Sequence, residues 1–280
     1  MIGRVEAHPK SRHIHASGRP TGYELVAYPP DSPLRFIEFA TAAIGPGGAP
    51  LVWESRDREA VLYLIGGICE YTVSGFAGSA TGVLDERPSI FDGPPAAVYI
   101  PPGHKLGIAS PRMGVQAAII SALPSAERPL RRIHANEVST RSVGKNTWAH
   151  RVTIVADART TSRLIVGETI VPKGHWASYP PHKHDTHAPG QEMPMEEVNH
   201  FLFKPSTGFA LQVTYTRSGT PDAFSQTHRV RDGDTIVIPR GYHSVATAGD
   251  YTLGYVWALA GTHVEYGAWT EDPVHSWVHR

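Results

Sequence analysis

"DGPPAAVYIPPGHKLGIAS" (residues 92–110) and "DGDTIVIPRGYHSVATA" (residues 232–248) follow one plan. Each opens on an Asp-Gly turn, runs as a short apolar strand, turns again at Pro-x-Gly and resumes as a strand. They lie about 140 residues apart, half of the 280-residue chain, which marks an internal duplication. "WESRDREAVLYLIGG" from Trp53 stands ahead of the first copy as "HKHD…EEVNHFLF" stands ahead of the second. Around these segments, 27 Gly and 24 Pro punctuate short runs rich in Val, Ile, Tyr, Phe and Trp, such as "RLIVGETIVP" and "YTLGYVWALAG". Helix-period segments are scarce. The reading is an all-β chain of two tandem small barrels, residues 1–124 and 149–280, joined by the polar linker 125–148, with the tail after Gly261 packing back onto a barrel.

Bulk properties narrow the function. Lysine plus arginine equals aspartate plus glutamate, 26 against 26, so no global field collects nucleic acid or an anionic membrane surface. No apolar run approaches the roughly 18 residues of a membrane span, and "MIGRVEAHPKSRHIHASGRP" lacks the apolar core of a signal peptide, so a cytoplasmic protein is expected. The single cysteine, Cys69, cannot form an internal disulfide and reads as buried filler. Sixteen histidines are the unusual count.

Two of them stand one residue apart in "SYPPHKHDTHAPGQEMPMEEVNHFLF" (178–203). On a strand, residues i and i+2 share a face, so His182 and His184 aim at one point. Two imidazoles suit a divalent cation, Zn2+ first, with Mn2+, Fe2+ or Ni2+ as alternatives. Glu192, Glu196 and Glu197 compete for the third ligand. Glu197 is preferred because it opens the strand "EVNHFLF" and is matched to Glu59 of the first copy. His243, after Pro239-Arg240-Gly241, supplies the fourth. The first half carries Glu54 and Arg56 in place of His182 and His184 and is expected to be metal-free.

The pattern HxH, Glu, "G-x5-P-x-G" and His resembles the cupin superfamily of jelly-roll barrels. Twelve residues separate His184 from Glu197 and "PRGYH" is one residue short, two departures that point to one subfamily. "HWASYPPHKHDT", "GFALQVTYT", "GDTIVIPRGYHSVA" and "ERPSIFDGPPAAVYIPPG" resemble the bicupin 5-deoxy-glucuronate isomerases of inositol catabolism, sisters of the 5-keto-4-deoxyuronate isomerases. The resemblance implies two tandem jelly-roll barrels and an aldose-ketose isomerisation through an enediolate, with His182, His184, Glu197 and His243 at the metal-ligand positions. Glu196, His187, Lys183 and Tyr242 are the candidates for the proton-moving group. Arg240 is the candidate clamp for a uronate carboxylate, Gln212 for a hydroxyl, and Lys183 for further substrate contact, although its place between the ligands turns it from their face. Asn199, His200 and Phe201 stand where the family carries tyrosines, and Asn199 shares the parity of Glu197 and is expected to face the metal. Two readings stand beside the isomerase: a cupin acting on another sugar acid or as an Fe(II) dioxygenase, and a non-catalytic sugar-binding bicupin. A small sugar acid is the expected partner, and pairing through edge strands would give a homo-oligomer.

Overall fold

The computed structural model describes residues 10–279 apart from 19–20, 77, 111 and 221, so positions 1–9, where the leader reading largely rests, lie outside the described residues. The described residues are nearly all-β, as the periodicity predicted, and form one nine-stranded, one seven-stranded and one five-stranded sheet. The nine-stranded sheet makes the first half. Its long strand Glu59–Gly75 pairs with Ala97–Ile100 and Val115–Ala122 early on, and with Gly78–Arg87 and His104–Ala109 later. In the second half the seven-stranded sheet centres on Met195–Lys204, between Thr235–Ile238 and Thr252–Gly261. The five-stranded sheet stacks over it, with Phe209–Tyr215, Tyr242–Thr247 and Trp176–Lys183 at its centre.

Three apolar clusters form among the described residues. One lies inside the first half around Leu62, Leu64, Leu84, Leu106 and Ile119, and one inside the second around Ile165, Phe201, Ile236, Tyr255 and Trp257. The third joins the halves, packing Phe39, Val61, Tyr63, Tyr99 and Ile120 against Val166, Val198, Val237, Val256 and Ala258. Burying each larger side chain of this seam contributes about 1.5–3 kcal/mol before entropy is counted. Cys69 is fully buried in the first core, and burial pushes its thiol up to about 12, in keeping with inert filler.

Polar contacts cross the same seam reciprocally. Glu59 accepts the backbone N–H groups of Ser162 (2.9 Å) and Arg163 (2.7 Å), while Glu196 accepts those of Arg35 (2.7 Å), Phe36 (2.8 Å) and Ile37 (2.8 Å). Arg87 and Tyr63 of the first half both donate to Glu168 of the second, fully inside. Strands are exchanged as well. Arg12–Ile14 pairs with Thr235–Ile238 in the second half, and Arg131–Ile133 pairs with Ala97–Ile100 in the first. The expected linker 125–148 therefore contains strand Arg131–Ile133, on one half, and strand Ser139–Val143, which joins His150–Ala156 of the other.

The matching of Glu59 to Glu197 is corrected by register. Ile100 and Ile238 both precede a Pro-x-Gly turn; Ile100 faces Ala60, and Ile238 faces Glu197. Ala60 thus holds the position of Glu197, and Glu59 that of Glu196. The first half lacks the carboxylate as well as the histidines at those positions.

Candidate metal centre and its cavity

His182 reaches the interior because its strand is irregular. Ala177 pairs with Val245 and His182 with His243, so the strand bulges across Ser178–Pro181. Pro180 and Pro181 have no N–H to give to a ladder, which suits them to the bulge. Beyond His184, the segment Asp185–Glu196 is ordered by Glu192, whose carboxylate accepts the N–H groups of Asp185 (2.8 Å) and Thr186 (2.7 Å) and the Lys183 ammonium (2.9 Å). Asp185 in turn accepts the N–H of Gly241 (2.8 Å). Gly241 has φ +96°, and a Cβ there would come within 2.8 Å of the Tyr215 carbonyl, so the turn that presents His243 requires glycine.

Four side chains meet. Nitrogens of His182, His184 and His243 lie within 4.8 Å of one another, and Glu197 Oε2 is 3.0 Å from His184 Nε2 and 3.1 Å from His243 Nε2. His184 Nδ1 is 2.6 Å from the Met195 carbonyl and His243 Nδ1 is 3.2 Å from that of Gly241. With those carbonyls accepting from Nδ1–H, the Nε2 atoms of both rings face the Glu197 oxygen and would be free to hold a cation between them, the outer-shell arrangement typical of metal-bound imidazoles. His243 Nε2 is buried without a well-aligned hydrogen-bond partner. An orphaned nitrogen among two imidazoles and a carboxylate fits a divalent cation of the zinc type.

The electrostatics agree. Burial pushes His182 well below its usual value, helped by His243 and His184. Burial would raise Glu197, yet His243 and His184 hold it well below the carboxylate range. Burial would lower His184, and Glu197 more than reverses this, so His184 sits above the imidazole range. The carboxylate draws positive charge to the point where the nitrogens converge.

A cavity of about 370 Å³ opens over this point. Its walls include Trp257, Tyr266 and Trp269, with Trp257 stacked on Tyr266 and Trp269 lying 4.8 Å from His182, centroid to centroid. Two charged residues at its edge were not singled out from sequence. Arg141, from the expected linker, lies over the Tyr266 ring at 4.9 Å, and Glu271 pairs with His182 in register and is 2.7 Å from His279 Nε2. The tail does pack back: Thr270–Glu271 adds to the edge of Trp176–Lys183. Its two tryptophans, Trp269 and Trp277, were the sequence signal for that, whereas nothing local marks Arg141.

Several expected site residues lie elsewhere. Glu196 is turned by strand parity onto the seam, where its three backbone donors hold it. Tyr242 occupies the face opposite His243, against Tyr215 and the Lys183 ammonium. Lys183 is paired with Asp185 (2.7 Å) and Glu192 (2.9 Å), and His187 is exposed on the same segment. Arg240 packs over Phe224 and donates to the Asp222 carbonyl (3.1 Å). Asn199 and Gln212 are buried on interior-facing positions, outside the cavity lining, and Asn199 Oδ1 has no hydrogen-bond partner among the described residues. His200 faces the seam, 3.0 Å from Thr235 Oγ1.

The KduI/IolB family model matches residues 15–278. The chain is 29% identical over 272 residues to the 5-deoxy-glucuronate isomerase of Geobacillus thermodenitrificans, covering 96% of each, and 31% identical over 233 residues to that of Geobacillus kaustophilus, covering 82% of each. Among solved structures, an IolB-like protein from Salmonella typhimurium LT2 superposes with a TM-score of 0.86 at 26% identity, covering 96% of this chain and 99% of that one. Oxalate decarboxylase from Lactobacillus farciminis, at 13% identity and a TM-score of 0.60 over 85% of this chain and 80% of its own, shares the bicupin fold.

Proposed function

This chain belongs to the KduI/IolB family and is an isomerase, and from that premise we propose that it converts 5-deoxy-D-glucuronate to 5-dehydro-2-deoxy-D-gluconate at a metal centre of His182, His184, Glu197 and His243. The observation that carries this reading is the meeting of two Nε2 atoms on the Glu197 oxygen, with His182 beside them, under a cavity. A divalent cation held there, Zn2+ by preference, supplies Lewis-acid polarisation of a carbonyl and its neighbouring hydroxyl.

The chain's own residues do the rest. Arg141 offers a planar fork suited to the uronate carboxylate, and it takes the clamping role expected of Arg240. Glu271, next to His182 in register, takes the proton from C2 of the substrate and returns it to C1 while the O2 hydroxyl proton passes to O1, so aldehyde and secondary alcohol become primary alcohol and ketone with the formula unchanged. His279, hydrogen-bonded to its Oε2, orients that carboxylate. Trp257, Tyr266 and Trp269 present apolar ring faces to the sugar and exclude water while the proton is in transit. With Glu196, Lys183 and Tyr242 turned elsewhere, Glu271 is the carboxylate left at the edge of the cavity besides Glu197. We place the reaction in the cytoplasm, with a small sugar acid as the partner molecule.

The test is anaerobic incubation of metal-quantified protein with 5-deoxy-D-glucuronate, followed by proton NMR in deuterated water beside His182→Ala. Conversion without oxygen, lost in the variant together with the metal of this centre, supports the proposal. Metal retained with the substrate unchanged would refute it and direct attention to another sugar acid or to oxygen chemistry.

A further inference from the structure

A second histidine pair of HxH form, His13 and His15, lies on the exchanged strand at the start of the chain. The imidazole of His13 is 2.8 Å from Asp234 Oδ2, and that of His15 is 3.8 Å from the same oxygen. The two rings are 3.9 Å apart, centroid to centroid, and one ligand atom from each of the three residues lies within 4.8 Å of the others. We infer that His13, His15 and Asp234 form a second divalent-metal site at the seam of the two halves.

The carboxylate is built for this. Asp234 is buried, and its oxygens accept the N–H groups of Ala16 (2.9 Å) and Arg231 (2.9 Å), which fix its orientation. A carboxylate has about four acceptor positions, so these two donors and His13 leave one free. When His13 Nε2 gives up its proton to become a ligand, the position that proton held on Oδ2 becomes available to the same ion. His228 stands edge-on to His13 with centroids 5.6 Å apart.

Beside the three residues lies a second cavity of about 590 Å³, lined by His15 and Asp234 together with Glu24, Thr41, Gln116 and His200. Thr41 Oγ1 is buried there and has no hydrogen-bond partner among the described residues. Three protein ligands next to such a cavity leave coordination positions open to water or a small oxygen-bearing ligand, which Thr41 can hydrogen-bond. The site is separate from the first: Asp234 lies four residues before Ile238, the partner of Glu197, or about 13 Å along the strand.

Untagged protein stripped with chelator is titrated calorimetrically with Zn2+, and bound zinc is counted after gel filtration. Wild type is expected to hold two ions per chain, and His182→Ala and His15→Ala one each. Because His15 is exposed, its replacement leaves the packing intact. Cobalt(II) added to His182→Ala then reports the seam site alone through its visible absorption, which His15→Ala in that background abolishes. Isomerisation by His15→Ala stays at the wild-type rate. Wild type saturating at one ion, or His15→Ala holding as many as wild type, overturns the inference without touching the proposed reaction.

Discussion

Glu196→Gln separates two roles that adjacent residues make easy to confuse. In sequence Glu196 has the form of a catalytic carboxylate beside a ligand; in the fold its Oε1 accepts the N–H groups of Phe36 and Ile37 and its Oε2 that of Arg35. A glutamine of the same shape keeps two of these bonds when its carbonyl replaces Oε1, but its NH2 then faces the Arg35 N–H, donor against donor. One orphaned backbone N–H costs about 1–3 kcal/mol, and at about 2–4 °C per kcal/mol for larger domains the melting temperature falls by several degrees. The turnover of the folded variant stays within about twofold of wild type, since no Glu196 atom borders the metal cavity. Calorimetric melting and kcat on one preparation decide it. A kcat reduced 100-fold or more at an unchanged melting temperature would refute the structural role and restore the catalytic one.

Glu271→Gln lowers kcat by about 100- to 10,000-fold, the range for loss of a positioned proton carrier, while zinc content is unchanged; steady-state rates and metal analysis check this together. Arg141→Ala removes a charge-assisted bond of about 2 kcal/mol, so KM rises roughly 30-fold with a smaller effect on kcat, and Arg141→Lys recovers part of it. His200 gives a pH dependence. Burial pushes its imidazole down to about 4 in the folded protein, against about 6.5 unfolded, so the unfolded chain binds the extra proton between those values. Its stabilising contribution is complete above pH 6.5 and declines as pH falls toward 4, by about 3 kcal/mol in all. Urea midpoints measured from pH 4 to 7 are expected to be less steep in His200→Asn than in wild type; parallel profiles would exclude His200 as the titrating group.

The four converging residues were legible because type and local spacing bring them together. HxH on one strand face, a glutamate opening a strand and a histidine after Pro-x-Gly need no long-range information. Glu197 does lie beside His184 and His243, although its match to Glu59 was one residue out. A slip of one along a strand exchanges its faces, and that same step separates Glu197, beside the histidines, from the seam cap Glu196. Only the pairing of Ile100 with Ala60 and of Ile238 with Glu197 resolves it. Tyr242 and Arg240 were chosen for closeness in sequence to His243, and parity and the turn direct them elsewhere. Arg141 and Glu271 reach the cavity through pairings with Val152 and His182, contacts that arise from packing order and leave no local pattern.

The reciprocal seam has a consequence for ancestry and for how the chain can be divided. Glu59 caps the residues that enter strand Leu164–Val171, Glu196 caps those that enter the corresponding strand Glu38–Ile44, and each half lends its first strand to the other. Each contact recurs with the roles of the halves interchanged, the signature of an isologous twofold dimer, here with its two subunits fused into one polypeptide. In such a fusion one catalytic mouth suffices. In the other mouth, Glu54, Arg56, Ala60 and Lys105 stand where His182, His184, Glu197 and His243 stand in its twin. What the silent subunit cannot surrender is its half of the handshake, so the two halves expressed as separate chains should be recovered as a heterodimer and not as independent monomers.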